Sequence, residues 1–108
     1  MTTKRRTLQE CLTSLSPERV LAEARAFFAR QLSIYAAFID MEGPNWVSLR
    51  GQGGEEVVIA AHPGERGTRV SGSTYLFDMQ VARFLASLPP VPSAAPAAPA
   101  SALPAGAA

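Results

Sequence analysis

The apolar positions in residues 16–88 change from the spacing of a helix to that of strands and back again. From Pro17 onward they recur three and four residues apart, which is typical of a helix with one buried face. Ser16 can accept a hydrogen bond from a first-turn amide, and Pro17 suits the first helical position because its φ angle is fixed. Leu15 and Val20 have the spacing of a hydrophobic staple. We therefore predict a helix that begins after Ser16.

Four segments with strand character follow, separated by turns of hairpin length. β-branched, aromatic and other apolar residues are concentrated in residues 34–41, 46–50, 55–61 and 68–77, with glycine, proline or asparagine between them. Hairpin links exclude parallel neighbours, because a parallel crossover needs about a dozen residues or more. The pattern predicts one four-stranded antiparallel meander.

A second helix closes the predicted domain. Asp78 is a candidate N-cap, the apolar residues of 81–88 recur with helical spacing, and Pro89 ends the run. Two helices that each have one apolar stripe are most simply accommodated on the same face of the sheet. We therefore predict an α+β fold of order αββββα, a two-layer sandwich. Its predicted core consists of Phe27, Phe28, Val47, Leu49, Val57, Ile59, Val70, Phe84 and Leu85.

Both termini differ from this single domain of residues 16–88. Residues 1–15 combine a basic start with leucines at positions 8, 12 and 15, which fits a short helical arm or a loosely ordered lead-in. We interpret them as a flexible N-terminal arm. Residues 89–108 contain six prolines, nine alanines and no charged residue, a composition that cannot bury a core and predicts a disordered tail.

Composition excludes several classes of function. One cysteine, Cys11, and one histidine, His62, cannot form an intrachain disulfide or a usual four-ligand metal site. A net charge of +1 is too small to attract a nucleic acid duplex or an anionic membrane by bulk electrostatics. No apolar run of about 7–15 residues follows the basic start, so we expect no secretory signal, and no run of about 18 apolar residues predicts a membrane span. We expect a cytoplasmic protein with no cofactor, no metal, and no nucleic acid or membrane partner.

Two motifs invite an anion-binding or catalytic interpretation, and each has a simpler one. The glycines of residues 51–54 could approach a phosphate, but two glutamates follow and the next element is a strand rather than a helix. His62 shares a turn with Glu65 and Arg66 and could transfer protons, yet a tip loop supplies neither a pocket nor a nucleophile. We therefore expect no enzyme, and a small enzyme that uses His62 stays the least favoured alternative.

The outward side of two predicted strands carries the most informative set of residues. Aromatic and arginine side chains on an open sheet stack bases, form protein interfaces or line a ligand groove, and such a face can also be merely solvated. We prefer a protein interface, and self-association as a homodimer in particular, because open sheet edges invite pairing and a small domain gains stability by dimerising. The predicted interaction surface comprises Trp46, Ser48, Arg50, Arg69, Ser71, Ser73 and Tyr75.

The last strand and helix, residues 67–88, resemble the closing strand and long C-terminal helix of the START-like helix-grip domains. That family encloses apolar ligands between a curved sheet and this helix, and it has six or seven strands, more than we predict here. The resemblance implies an alternative function as a small apolar-ligand carrier. The ligand would lie between the two helices and the sheet, lined by Phe27, Phe28, Tyr35 and Phe84.

Overall fold

The computed structural model describes residues 6–31 and 33–92 and has an α+β fold. Its strands are β1 (Thr7–Thr13), β2 (Ala37–Glu42), β3 (Trp46–Gly51), β4 (Glu56–Pro63) and β5 (Thr68–Tyr75). Its helices are α1 (Pro17–Ala29) and α2 (Asp78–Ser87), and a short 3-10 helix, Ser33–Tyr35, precedes β2. Most of the predicted tail, residues 93–108, lies outside the described residues, as do residues 1–5 of the predicted arm.

All neighbouring strands of the sheet are antiparallel, in the order β1-β5-β4-β3-β2. Strands β2 to β5 form the predicted meander, which confirms the α+β class and the antiparallel sheet. The predicted number of four strands is wrong, because residues 7–13 of the expected arm form a fifth strand beside β5. The sheet therefore joins the first strand of the chain to the last.

The apolar side chains of β1 point away from the helices instead of toward the core. The sequence analysis therefore did not predict this strand. Residues opposite each other in a sheet point to the same face, and Gln9 lies opposite Gly72, which faces α2. Leu8 and Leu12 therefore point away from the helices, and they are 64% and 45% exposed. Together with Leu15, these leucines are spaced four and three residues apart, which imitates one face of a helix.

The polar inner side of β1 holds α2 at both ends. At the start of the helix, Thr7 Oγ1 donates to Asp78 Oδ1, and Gln9 Nε2 donates to the Asp78 carbonyl oxygen at 3.1 Å. Just after the helix, Thr13 Oγ1 donates to the Pro89 carbonyl oxygen at 2.6 Å. Hydrogen bonds thus replace apolar packing along much of the inner side of this strand.

Both helices pack on the same face of the sheet, as the pattern predicts. Their apolar stripes meet alternate positions of the strands in one buried cluster. Phe27, which we predicted in the core, is only partly buried and packs against the edge of this cluster. The buried apolar residues that the helices and the central strands contribute are Val20, Leu21, Ala24, Phe28, Val47, Leu49, Val57, Ile59, Ala61, Val70, Val81, Phe84 and Leu85.

The start of α1 confirms its predicted cap, whereas the start of α2 differs. Ser16 Oγ accepts from the Arg19 amide at 3.2 Å, and Pro17 occupies the first turn. The N-cap predicted for α2 is wrong, because Phe77 takes that position and Asp78 is already helical. The link from β5 is only two residues long, so the helix begins earlier than the pattern indicates. The carboxylate of Asp78 still suits the positive end of the helix dipole.

Strand β2 begins later than the predicted segment of residues 34–41. Ala37 lies opposite Gly51, the last residue of β3, so the residues before Ala37 have no strand position opposite them. They form the 3-10 helix instead, and the Tyr35 ring lies 6.4 Å from the ring of Phe77. The length of β3 thus limits the length of β2.

Gly72 leaves the space in which α2 packs against the middle of the sheet. A Cβ atom at this position would lie 2.6 Å from Val81 Cγ1, and this valine is fully buried and stiff about χ1. We expect Gly72→Ala to lower the free energy of unfolding by about 1–3 kcal/mol, because α2 must shift outward. Chemical denaturation beside Ser71→Ala, whose side chain points to the other face, measures this effect. Equal losses in the two variants would contradict it.

The hydroxyl of Thr74 connects β4, β5 and the start of α2. It is fully buried, donates to the Glu56 carbonyl oxygen at 2.6 Å and accepts from the Phe77 amide at 3.2 Å. Thr74→Val keeps the shape but removes both hydrogen bonds, so we expect the free energy of unfolding to fall by about 1–3 kcal/mol. Thr74→Ser keeps the hydroxyl and should retain more stability in the same denaturation measurement. The reverse order would rule out this role for the hydroxyl.

Candidate interaction surface

The side of the sheet opposite α1 and α2 is covered by neither helix, and we call it the bare face. In β3 and β5 its side chains alternate with buried ones such as Leu49 and Val70. β4 lies between these two strands and separates their contributions. The structure places on the bare face all seven residues of the predicted interaction surface: Trp46, Ser48 and Arg50 from β3, and Arg69, Ser71, Ser73 and Tyr75 from β5.

The other three strands add residues to the bare face that the sequence analysis omitted. β4 gave no signal because residues 57–61 are apolar throughout, and only pairing with its neighbours identifies Val58 and Ala60 as outward residues. Cross-strand pairs produce one continuous row over the whole sheet: Leu8, Ser73, Val58, Ser48 and Met41.

The side chains at the centre of the bare face are small and uncharged, and larger apolar side chains lie at its edges. Leu8 and Leu12 on β1 and Phe38 and Met41 on β2 are all exposed. Short side chains leave the middle strands accessible to a second layer, which packs about 10 Å away when two sheets meet face to face. The residues at the centre are Ser48, Val58, Ala60, Ser71 and Ser73.

Trp46 lies at the border of the bare face and is folded over the turn between β2 and β3. A Cβ atom at Gly43 would lie 2.2 Å from Trp46 Nε1, so the indole occupies the space beside this glycine. The Gly43 amide also donates to the Trp46 carbonyl oxygen at 2.9 Å. The indole is therefore half-buried, and part of its surface stabilises the turn.

Four charged side chains form a chain of ion pairs across one end of the bare face. Arg6 Nη1 lies 2.7 Å from Glu56 Oε1, and Arg50 Nη1 lies 3.3 Å from Glu56 Oε2. Arg50 Nη2 also contacts Asp40 Oδ2 at 3.3 Å. Such partly exposed pairs contribute about 0–1 kcal/mol each, so they arrange charge more than they stabilise the fold. Arg50, predicted as a contact residue, is thus neutralised within the chain.

The opposite end of the bare face carries two charges of opposite sign. Glu10 on β1 and Arg69 on β5 are exposed, and neither forms an ion pair with any residue that the structure describes. Glu10 lies opposite Ser71 and Arg69 lies opposite Leu12, so the two charges are diagonal neighbours on the same face. One end of the face is therefore internally neutralised, and the other presents an unpaired acid and an unpaired base.

His62 lies at this second end, within β4 and opposite Arg69, so it is not in the turn where the sequence analysis placed it. Asn45 Nδ2 is 3.3 Å from His62 Nδ1. Within residues 6–31 and 33–92, no hydrogen bond joins His62 to Glu65 or Arg66. The ring borders a surface groove of about 510 Å³ lined by Leu12, His62, Pro63, Gly64, Glu65, Arg66 and Arg69.

The glycine-rich loop of residues 51–54 is a hairpin turn. Gly54 has a φ angle of +91°, which glycine adopts at little cost, and its amide donates to the Gly51 carbonyl oxygen at 3.2 Å. The Gly53 amide donates to Glu55 Oε1 at 2.9 Å. The Glu55 carboxylate therefore already accepts from an amide that a bound phosphate would need as a donor.

Three of the four aromatic residues suggested as a ligand lining pack against one another. The ring centroids of Phe27, Phe28 and Phe84 lie between 5.2 and 5.7 Å apart, and the last two residues are fully buried. Tyr35 does not join them, because it is exposed and its ring lies near Phe77. Between the helices and the sheet, these three rings form a packed cluster.

Comparisons of this chain with known protein families, characterised proteins and solved structures give no match. Over the described ranges, no group of three or more histidine, cysteine, aspartate or glutamate side chains is arranged to hold a metal ion. No helix in those ranges is long and apolar enough to cross a membrane. The argument for a function therefore rests on the bare face and its surroundings.

Cys11 is half-buried on the helix side of β1, opposite Val70. Burial raises the pKa of the Cys11 thiol above its ordinary value, which lowers the reactive thiolate fraction near neutral pH. We expect Ellman's reagent to modify Cys11 more slowly than the exposed thiol of a Cys11→Ala/Gln52→Cys variant. The difference should vanish in denaturant, and equal rates on the folded proteins would argue against a protected thiol.

Proposed function

We propose that this chain is a non-catalytic cytosolic module that acts through protein contact, and that its partner is a second copy bound through the bare face. The observation that carries this proposal is the direction of the leucines of β1. Leu8 and Leu12 point to the bare face, whereas the polar side chains of Thr7 and Gln9 on the same strand point to the helices.

The register of a strand normally places its apolar side chains on the covered side of a sheet. A shift of β1 by one residue would exchange its faces and bring the leucines under α2. The observed register leaves the leucines exposed at one edge of the bare face. Phe38 and Met41 are exposed at its opposite edge. A face that combines exposed apolar edges with a small neutral centre is suited to being covered by another protein.

A second copy is the favoured partner because the bare face is complementary to itself. A two-fold contact requires one patch that matches its own rotated image. A two-fold axis that lies along the face and passes between Glu10 and Arg69 would bring Glu10 of one copy toward Arg69 of the other, twice in each dimer. The chain of ion pairs at the opposite end is neutralised internally, so it does not repel its image. Association also stabilises a small domain, which buries a limited fraction of its surface alone.

The non-catalytic part of the proposal rests on the surroundings of His62. A catalytic imidazole is commonly oriented by a carboxylate, and the partner that the structure gives His62 is the amide of Asn45. The histidine is exposed near the end of β4 beside an open groove, where water has free access. These surroundings favour a solvated histidine at the rim of a contact surface.

Reversing one of the two unpaired charges tests the bare-face contact. We expect Glu10→Arg, and separately Arg69→Glu, to raise the Kd of self-association about tenfold or more, because each places like charges opposite one another. The double variant Glu10→Arg/Arg69→Glu should restore most of the parental affinity, since it re-creates both pairs with exchanged signs. Sedimentation equilibrium over a range of micromolar concentrations measures the Kd of each protein.

A matched control separates this contact from the effect of net charge. Glu18→Arg makes the same charge change on the exposed side of α1, away from the bare face, and should leave the Kd unchanged. The proposal fails if Glu18→Arg weakens association as much as Glu10→Arg does. It also fails if the parent protein is monomeric at every concentration.

A further inference from the structure

We infer that two copies of this chain also pair along β2, edge to edge and antiparallel, through a contact separate from the bare face. β2 stands at one end of the sheet, so one of its sides has no neighbouring strand among the described residues. An open edge presents backbone amides and carbonyl oxygens that can pair with an added strand. The contact goes beyond the proposed function because it uses the open backbone edge of β2, which shares only Phe38 and Met41 with the bare face.

The side chains of this edge are apolar on both sides of the sheet. Phe38 and Met41, on the bare face, are each 60% exposed, and Ile39, on the helix side, is 45% exposed. Edge strands are usually protected from pairing by charged side chains, proline or a bulge. β2 contains neither lysine nor proline, but it has two acidic residues and an irregular pairing with β3. A strand added beside β2 would cover apolar side chains on both sides at once.

The acidic residues of β2 are neutralised by arginines of the same chain. Asp40 Oδ2 lies 3.3 Å from Arg50 Nη2, and Glu42 Oε1 lies 2.8 Å from Arg25 Nη2. This neutralisation favours a second copy as the partner, because identical strands bring their like charges close together. β1, the opposite edge, carries Glu10 at its middle without an ion pair in the described part of the chain. The charges therefore favour β2 over β1 as the edge that pairs with itself.

An irregularity in β2 makes the strand complementary to its own copy. Its pairing with β3 shifts between Ile39 and Met41, so Phe38 and Met41 point to the same face although they are three residues apart. In a regular strand, residues three apart point to opposite faces. We place the two-fold axis between Ile39 and Asp40. Phe38 of one copy then lies opposite Met41 of the other on the same face, which provides two aromatic–sulfur contacts in each dimer.

The edge contact and the bare-face contact can operate together. Pairing along β2 joins two five-stranded sheets into one continuous sheet, and the bare-face contact stacks such sheets in pairs. Two perpendicular two-fold contacts produce a closed tetramer with D2 symmetry, a common arrangement of identical subunits. Removing either contact should leave a dimer, and removing both should leave a monomer.

Ile39→Lys tests the edge contact without altering the bare face, because this side chain lies on the helix side. We expect the variant to halve the mass of the parental assembly in sedimentation velocity, since two lysines would meet near the two-fold axis. Glu10→Arg should halve the mass through the other contact, and the combined variant should be monomeric. Met79→Lys, at a residue of α2 that is 63% exposed, is the matched control and should keep the parental mass.

The outcomes separate the two contacts. A parental mass in Ile39→Lys overturns the edge contact, whereas a parental mass in Glu10→Arg overturns the bare-face contact. If Ile39→Lys fails to fold, mild oxidation of a Cys11→Ala/Phe38→Cys/Met41→Cys variant decides the question. Covalent dimers that also form when Glu10→Arg is present support edge pairing, because opposite positions of paired strands lie within disulfide reach. Monomers alone would overturn it.

Discussion

The antiparallel pairing of β1 with β5 is the constraint on which the rest of this structure depends. It adds β1 to the sheet as the edge strand next to β5 and places this strand beside α2. Thr7 and Gln9 bond to Asp78 at the start of the helix, and Thr13 bonds to Pro89 after its end. At the edge of the core that α2 covers, β1 therefore contributes these hydrogen bonds together with the partly buried Cys11.

The same pairing determines the character of the bare face. Once the polar side chains of β1 point toward α2, the two-residue alternation of a strand directs Leu8 and Leu12 to the other side. The remaining strands contribute short side chains at the centre and a chain of ion pairs at one end. Glu10 and Arg69 occupy the other end without ion pairs of their own among the described residues. This distribution of apolar, neutral and charged side chains is the basis of the proposed self-association.

The features that first suggested chemistry serve local structure. The Gly53 amide donates to Glu55, the imidazole of His62 lies beside the Asn45 amide, and the rings of Phe28 and Phe84 pack together in the core. A small chain with helices on one side of its sheet uses its interior for stability. The proposed contacts with other molecules therefore use its surfaces, namely the bare face and the edge of β2.

Local patterns in the sequence determined α1, the hairpins of the meander and the two helices on one face, because caps, turns and periodicity act between neighbouring residues. Alternation in β3 and β5 also identified seven bare-face residues. Only the tertiary structure decided that Thr7 lies opposite Thr74, that Arg6 pairs with Glu56 fifty residues away, and which side chains of β4 point outward. Periodicity indicates which side of a helix or strand is apolar. Which strands pair, and in which register, depends on contacts between residues far apart in the sequence. For β1, pairing with β5 has the register in which the leucines lie on the bare face and the polar side chains point toward α2.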